Sequence, residues 1–249
     1  MFKSARGQRR LRGLGVAAAA VAVVLVAGYV AYTLGYVRPV YPSRAEFPVH
    51  GVDASHHQGR VDWEHVRAAG YEFAYLKATE GATFIDSTYA RNRAQARRAG
   101  LVTGPYHFFT LCTDAAAQAS HLLSVQPPDT ARSLPPAVDL EFGGNCGQRP
   151  PADSVRAEIG RFLQLADRAY GKPAVLYVTP EFHDAYLRGG VAGHQLWVRS
   201  LFRRPRYGGE WAFWQYAARA RVNGVSGPVD LDAFNGTRVE FEALVAPRR

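Results

Sequence analysis

Two acidic residues with a single leucine between them interrupt an otherwise apolar stretch of the chain. Asp139 and Glu141 lie within residues 136–142, whose composition predicts a buried strand. Side chains at positions i and i+2 point to the same side of a strand, so the two carboxyl groups should share one face. An unpaired buried carboxylate is strongly destabilising. The pair therefore predicts an acid/base or metal centre, and the structural alternative is two ion-paired acids at a strand end.

The histidines do not favour the metal alternative. The chain has eight of them, but His56 and His57 are adjacent. None of the eight forms the H-x-x-x-H spacing that places two ligands on one helical face. The sequence therefore predicts no metal site, which favours acid/base chemistry for the carboxyl pair.

Strand-like and helix-like segments alternate along the chain and would position this pair. Such alternation predicts a parallel sheet, and eight strands with little helix between the last three indicate a TIM-like barrel with its last helices trimmed. An open, doubly wound sheet is the alternative, although no glycine-rich phosphate loop follows the first strand. The predicted strands are 49–54, 71–78, 101–109, 136–142, 174–178, 196–198, 212–216 and 229–234. The predicted helices are 61–69, 86–99, 115–125, 152–169 and 180–187.

A barrel places the functional side chains of its strands on one rim. Asp53 closes the first predicted strand, Asp139 and Glu141 close the fourth, and Asp230 lies in the last. We therefore expect these four acids to converge on one cleft. Asp62, by contrast, is expected to begin a helix.

The beginning of the chain differs in composition from the rest. Residues 1–13 contain five cations and no acid, and residues 14–37 contain no charged residue. An apolar run of about 24 residues can cross a membrane core of about 30 Å as a helix. The positive-inside rule places its basic end in the cytoplasm. We expect a cytoplasmic segment at 1–13, a transmembrane anchor at 14–37, a linker at 38–47 and an exported domain at 48–249.

A cleaved signal sequence is the alternative for residues 14–37. The apolar run is longer than the usual core of about 7–15 residues in a signal peptide, and no clean small-x-small cleavage site follows it. The expected location is the cell membrane, with a single pass and the folded domain outside the cytoplasm. The protein would be secreted if the segment is cleaved.

The cysteines and the net charge give two further expectations, one about a disulfide and one about binding partners. Cys112 and Cys146 follow the third and fourth predicted strands, so their loops should be neighbours on one rim, and an even cysteine count in an exported domain favours a disulfide over two free thiols. The net charge of +9 comes largely from the N-terminus. No basic stripe with interleaved aromatic residues is present, which argues against nucleic acid as a partner.

Several blocks of sequence carry a family resemblance. They are HGVDASHHQG at 50–59, VDW at 61–63, FAYLKATEG at 73–81, GPYHF at 104–108, VDLE at 138–141, WQY at 214–216 and VDLDAFNG at 229–236. In this order, over nearly the whole exported domain, they resemble the family 25 glycoside hydrolases, the lysozymes also called N-acetylmuramidases.

The resemblance implies a modified barrel of the type (β/α)5(β)3. It also implies hydrolysis of the β-1,4 bond between N-acetylmuramic acid and N-acetylglucosamine in bacterial peptidoglycan, without a metal or other cofactor. Alternatives are a non-catalytic peptidoglycan-binding module of the same fold and another polysaccharide hydrolase, such as a chitinase-like enzyme. The presence of all four acids argues against the non-catalytic module.

The resemblance also assigns residues. It implies that Glu141 is the general acid, and we expect the ionised Asp139 beside it to keep it protonated. Asp139 could then act as base, nucleophile or stabiliser of an oxazolinium-like intermediate, and the strand spacing leaves these roles open. The other two acids of the cleft would be Asp53 and Asp230, the latter preferred over Asp232. The aromatic residues expected to line the sugar groove are Tyr106, Tyr177 and Trp214.

Overall fold

The computed structural model describes residues 5–129, 131–188 and 193–247. A long N-terminal helix is followed along the chain by a closed barrel. Within these residues the strands are β1 His50–Ala54, β2 Phe73–Glu80, β3 Phe84–Ile85, β4 Val102–Phe108, β5 Ala137–Leu140, β6 Val175–Val178, β7 Leu196–Arg199, β8 Trp211–Ala220 and β9 Val229–Phe234. The helices are α1 Ala5–Thr33, α2 Trp63–Ala68, α3 Tyr89–Arg98, α4 Ala115–Val125, α5 Ala152–Tyr170, α6 Pro180–Phe182 and α7 Arg238–Val245. A 3-10 turn covers His56–Gln58, and a π-helical turn at His183–Leu187 continues α6.

Eight of the described strands form the barrel. The sheet order is β1-β9-β8-β7-β6-β5-β4-β2-β3, and pairing of β1 with β2 closes it. Among the eight barrel strands, neighbours from β1 to β8 run parallel, whereas β9 is antiparallel to both β8 and β1. The short β3 lies outside the barrel and pairs antiparallel with β2. Barrel strands β1, β2, β4, β5 and β6 are each followed by a helix before the next barrel strand, whereas β7, β8 and β9 follow one another without a helix between them, so the predicted (β/α)5(β)3 barrel is confirmed.

Side-chain alternation separates two apolar layers. On β5, Val138 and Leu140 point outward into the layer beneath the helices, where they join residues such as Phe162 of α5. Ala137 points inward with Phe73 and other residues that fill one end of the barrel. Asp139 shares the inward face, so it lies inside the barrel above this apolar plug.

Two elements were not predicted. The hairpin strand β3 is only two residues long, and its side chains are exposed. Helix α7 begins with a capping box in which Thr237 and Glu240 satisfy each other's backbone N–H groups. Its Phe241 and Val245 are buried against the inner apolar layer, so α7 closes the end of the barrel opposite the carboxyl ends of β1–β8. Asp62 is the N-cap of α2, as expected, and accepts a bond from the backbone of His65.

The N-terminal helix ends earlier than predicted. It covers Ala5–Thr33, and its stretch from Arg12 to Thr33 is long and apolar enough to cross a membrane by length and composition. Residues 34–37 were predicted to continue it, but Gly35 adopts φ +78° and the backbone turns there. Residues 1–4 of the predicted cytoplasmic segment lie outside the described residues, as do Arg248 and Arg249.

The segment after this helix packs against the barrel. Phe47 is buried beside the rings of Trp211 and Trp214, and Arg44 donates a hydrogen bond to the carbonyl of Gly70. Residues 38–47 were predicted to be a linker, and the boundary drawn at residue 48 therefore falls inside the packed unit.

Candidate active site

A cleft of about 360 Å³ opens at the carboxyl rim of the parallel strands. All four acids expected there line it, and Tyr106 of β4 and Tyr177 of β6 line it with them. The acids are Asp53, Asp139, Glu141 and Asp230.

The direction of β9 explains how Asp230 reaches this rim. Because β9 is antiparallel to β1, its first residues lie beside the carboxyl end of β1, and Asp53 is the register partner of Asp230. The sequence places Asp230 near the start of a strand, which in a fully parallel barrel would put it at the opposite end. The reversal of a single strand thus completes the acidic cluster.

Gln215 organises the inner part of the cleft. Its amide nitrogen donates to Asp53 Oδ2 at 2.8 Å and lies 3.5 Å from Asp230 Oδ2, and its carbonyl oxygen accepts from the hydroxyl of Tyr177 at 2.9 Å. A single buried side chain therefore orients two acids and one tyrosine. The sequence analysis did not identify this residue, although it lies inside the WQY block.

Asp139 and Glu141 share the inward side of β5 but differ in depth. Asp139 is buried, and its Oδ1 has no hydrogen-bond partner among the described residues. Glu141 follows the last residue of the strand, and its side chain is 23 % exposed. Asn145 holds the turn after it, because its amide nitrogen donates to the carbonyls of Glu141 and Phe109 at 3.0 and 2.8 Å. The outer acid is thus open to solvent, and the inner one is enclosed.

Burial governs the protonation of both acids. It is the largest cause that raises the pKa of Asp139, and the charge of Glu141 raises it further. Burial also raises the pKa of Glu141, whereas the nearby cations Arg199 and Lys77 lower it. We expected the charge of Asp139 to be the main influence on Glu141, and the structure shows burial instead. The pair is built to retain a proton at pH values at which an exposed carboxyl group has lost it.

A second acid of β9 lies beneath the cleft. Asp232 is fully buried, and its Oδ1 accepts a bond from the indole N–H of Trp197 at 2.8 Å. Its Oδ2 has no donor among the described residues. Burial, followed by the charge of Asp53, raises the pKa of Asp232 well above its usual value. A protonated Asp232 that donates to Asp53 satisfies both groups, and Asp53 itself has its pKa raised by burial to about 6.

The Asp232→Asn variant tests this protonation state. Asparagine can accept the bond from Trp197 and donate to Asp53, as a protonated carboxyl group does, so we expect a folded and active enzyme. In the wild type, the native state binds a proton that the unfolded chain releases near pH 3.9, so the free energy of unfolding falls by up to about 1.4 kcal/mol per pH unit between that value and the pKa of Asp232 in the folded protein. The variant should lose this contribution and become less sensitive to rising pH. Urea unfolding between pH 5 and 8 measures the slope, and an unchanged slope would show that Asp232 is ionised in the folded protein.

One predicted substrate residue is not in the cleft. Trp214 points outward from β8, is buried beside Phe47, and donates its indole N–H to the carbonyl of Ser200. The prediction that Trp214 lines the groove is therefore wrong, because alternation on β8 turns Gln215 inward and its neighbour outward. Trp197 of β7 lines the cleft instead, and so does Lys77 of β2, which pairs with Glu80 at 2.6 Å.

The predicted disulfide is confirmed and lies beside the site. Cys112 and Cys146 are bonded, with their Cα atoms 6.3 Å apart. Asn145 accepts bonds from the backbone N–H groups of Leu111 and Cys146, so the bridge and this side chain act on the same two loops. They tie the turn that carries Glu141 to the loop after β4. Within the described residues, no group of three or more histidine, cysteine or acidic side chains is arranged to hold a metal ion.

Comparisons with known proteins agree with one another. The profile of glycosyl hydrolases family 25 matches residues 52–225. YegX of Escherichia coli (strain K12) is 34 % identical over 209 residues, which cover 81 % of this chain and 75 % of that protein. Lysozyme M1 of Streptomyces globisporus is also 34 % identical over 209 residues, covering 79 % and 71 %.

Solved structures show the same likeness. A family 25 glycosyl hydrolase from Bacillus anthracis superposes with a TM-score of 0.77 at 30 % identity, covering 85 % of this chain and 99 % of that one. A bacterial lysozyme from Streptomyces coelicolor superposes with a TM-score of 0.72 at 33 % identity, covering 79 % and 96 %.

Proposed function

This chain belongs to family 25 of the glycosyl hydrolases, and on that basis we propose which of its residues carry the reaction. The protein is a glycoside hydrolase, a lysozyme that hydrolyses peptidoglycan. We assign Glu141 as the general acid, with Asp139, Asp53 and Asp230 as the other acids of the cleft. The observation that carries this assignment is a difference in burial: Asp139 on β5 is buried, whereas Glu141, directly after β5, is partly exposed.

Glu141 has the properties that a general acid requires. Glycoside cleavage needs a protonated carboxyl group beside the oxygen of the departing sugar, because the transition state develops positive charge at the anomeric carbon. Glu141 reaches into the cleft from the residue after β5, and its partial burial raises its pKa. It can therefore keep its proton to a higher pH than an exposed carboxyl group does and still touch a substrate that enters from solvent.

Asp139 supplies negative charge beneath the bond that breaks. Its Oδ1 is buried without a hydrogen-bond partner among the described side chains, so this oxygen is available to a group of the substrate or to a water molecule. When Glu141 carries the proton of the pair, Asp139 is the ionised member. This state is compatible with three roles, as base, as nucleophile or as stabiliser of an oxazolinium-like intermediate.

Asp53 and Asp230 place two further carboxyl groups across the cleft, burial raises the pKa of each, and Gln215 keeps Asp53 in place. We assign Tyr106 and Tyr177 to the sugar groove, since both rings line the cleft. An aromatic face suits the apolar face of a sugar ring, and the hydroxyl of Tyr177 is already held by Gln215.

Mass spectrometry of digested peptidoglycan tests the bond assigned here. The purified protein should release fragments that end in reducing N-acetylmuramic acid. Fragments that end in reducing N-acetylglucosamine would instead identify a chitinase-like cleavage. A binding module of the same fold would release no fragments at all. Reduction of the products with borohydride before analysis distinguishes the two ends by mass.

We also propose that helix α1 anchors the enzyme in the membrane, with residues 1–13 inside the cell and the barrel outside. The family acts on the cell wall, and residues 12–30 of α1 are exposed, as expected for a segment surrounded by lipid. Its last carbonyls at Thr33 and Leu34 accept bonds from Arg219 and Arg221. N-terminal sequencing of the protein from the membrane fraction should find the uncleaved chain, and a secreted form lacking α1 would contradict the anchor.

A further inference from the structure

Arg199 lies beside the active-site cleft, next to Glu141, and its side chain makes no hydrogen bond within the described part of the chain. It is the last residue of β7, and its side chain is 35 % exposed. Its nearest acidic atom is Glu141 Oε2, 3.8 Å from Nη1, which is longer than a hydrogen bond. Among the described residues no acceptor is bonded to the guanidinium. A group with five donors is therefore held in a partly desolvated place, where its contact with Glu141 is an ion pair too long to use any of those donors in a hydrogen bond.

The backbone around Arg199 is fixed. The hydroxyl of Tyr207 donates to the carbonyls of Arg199 and Val178 at 2.7 and 3.0 Å, which ties the ends of β7 and β6 together. Arg199 is also the register partner of Gln215, the residue that orients the inner acids. The guanidinium is thus presented from a rigid position at the rim, and little ordering is required when a ligand binds it.

The charge of Arg199 opposes the protonation of Glu141 that the reaction needs. Around Glu141, the cations Arg199 and Lys77 lower its pKa, while burial and Glu181 raise it. Lys77 already has a close partner in Glu80, whereas Arg199 does not. A general acid works better when the nearby cation is directed elsewhere, so a substrate group that engages Arg199 would leave Glu141 more strongly protonated.

We propose that Arg199 binds a carboxylate on the lactyl arm of the muramic acid residue, either the lactyl carboxylate itself or one on the peptide attached to it. The proposal rests on the function proposed above, because it concerns the same cleft. A guanidinium recognises a carboxylate by two parallel N–H···O bonds. N-acetylglucosamine carries no carboxylate, so this contact would distinguish the two alternating sugars of the polymer.

Three forms of the glycan test the proposal with the full-length protein. The first is peptide-stripped glycan, whose lactyl carboxylates are free. The second is the same glycan after its carboxylates are converted to methylamides. The third is glycan with its peptides attached. We expect kcat/KM of the wild type on the free-carboxylate glycan to exceed that on the amidated glycan by about tenfold, a preference typical of one partly exposed ion pair.

Arg199→Met should remove this preference by raising KM on the carboxylate glycan, and Arg199→Lys should retain part of it, since lysine keeps the charge but not the planar fork. Arg203→Met is the matched control, because Arg203 is exposed in the loop after β7 and should leave the preference unchanged. If the carboxylate belongs to the peptide, Arg199→Met lowers kcat/KM only on the glycan that carries its peptides.

If Arg199→Met lowers kcat/KM by the same factor on all three glycans, or keeps the wild-type preference for a carboxylate-bearing glycan, the proposal is overturned. The lysozyme assignment would remain intact. A wild type that cleaves none of the three would overturn the proposed function and this inference with it. Far-UV circular dichroism of each variant confirms that a lost preference does not come from misfolding.

Discussion

Replacing Glu141 with glutamine should reduce peptidoglycan hydrolysis by about a thousandfold, because glutamine has the shape of glutamic acid but no proton to give to the departing sugar. The side chain is partly exposed and makes no hydrogen bond among the described residues, its nearest cationic atom being Arg199 Nη1 at 3.8 Å. The substitution should therefore leave the fold and its thermal stability unchanged. Loss of turbidity of a cell-wall suspension gives the rate, and muropeptide release confirms it.

Glu181→Gln is the matched control for this variant. Glu181 is exposed at the start of α6, and its charge acts on Glu141 from a distance. The same substitution there should change the rate little. Activity of Glu141→Gln within tenfold of the wild type would show that another group donates the proton, and the assignment of the general acid would have to be abandoned.

Replacing Asp139 with asparagine should reduce the rate by about a hundredfold or more, since each of the three roles open to Asp139 requires its negative charge. Asp232→Asn provides the comparison, because it is the same substitution in a neighbouring buried acid and should preserve activity. A rate of Asp139→Asn close to that of the wild type would remove Asp139 from the mechanism.

The configuration of the wild-type product then separates the three roles. Nuclear magnetic resonance of the freshly released anomer shows inversion if Asp139 acts as a base on water, and retention for the other two. A thiazoline analogue of the sugar mimics an oxazolinium-like intermediate, so strong competitive inhibition together with retention identifies the substrate-assisted route. Retention without inhibition identifies Asp139 as the nucleophile.

The fold followed from the sequence because helices and strands alternate in a regular order and the barrel motifs stand at strand ends. The direction of β9 did not follow, since a short extended segment contains no signal of its orientation. Asp230 nevertheless lies beside Asp53 as expected from the sequence, because antiparallel pairing brings the start of β9 to the carboxyl end of β1, and its role stays a prediction. Helix α7 was missed despite a capping box that the sequence TRVE contains.

The site was predictable where an unusual residue pattern stands in a strand, and not where ordinary residues gain a role from their surroundings. Two acids in an apolar run are conspicuous, whereas Gln215 and Arg199 become functional candidates only once neighbouring strands place acids beside them. Trp214 was assigned wrongly because its block was treated as a unit. Within a strand, the inward position of Gln215 excludes its neighbour from the cleft.

The end of α1 is mounted on the barrel and is not a flexible tether. Arg219 and Arg221 bind its last carbonyls, and a side chain added at Gly35 would lie 2.2 Å from the carbonyl oxygen of Arg219. Arg219 lies near the end of β8 and Arg221 directly follows the strand, at the carboxyl rim where the cleft opens. Under the proposed anchor, the enzyme cannot swing outward to search the wall. It would work at a fixed height above the lipid and reach its substrate by diffusing laterally in the membrane. Glycan chains close to the membrane would therefore be cut, and more distant glycan chains would not.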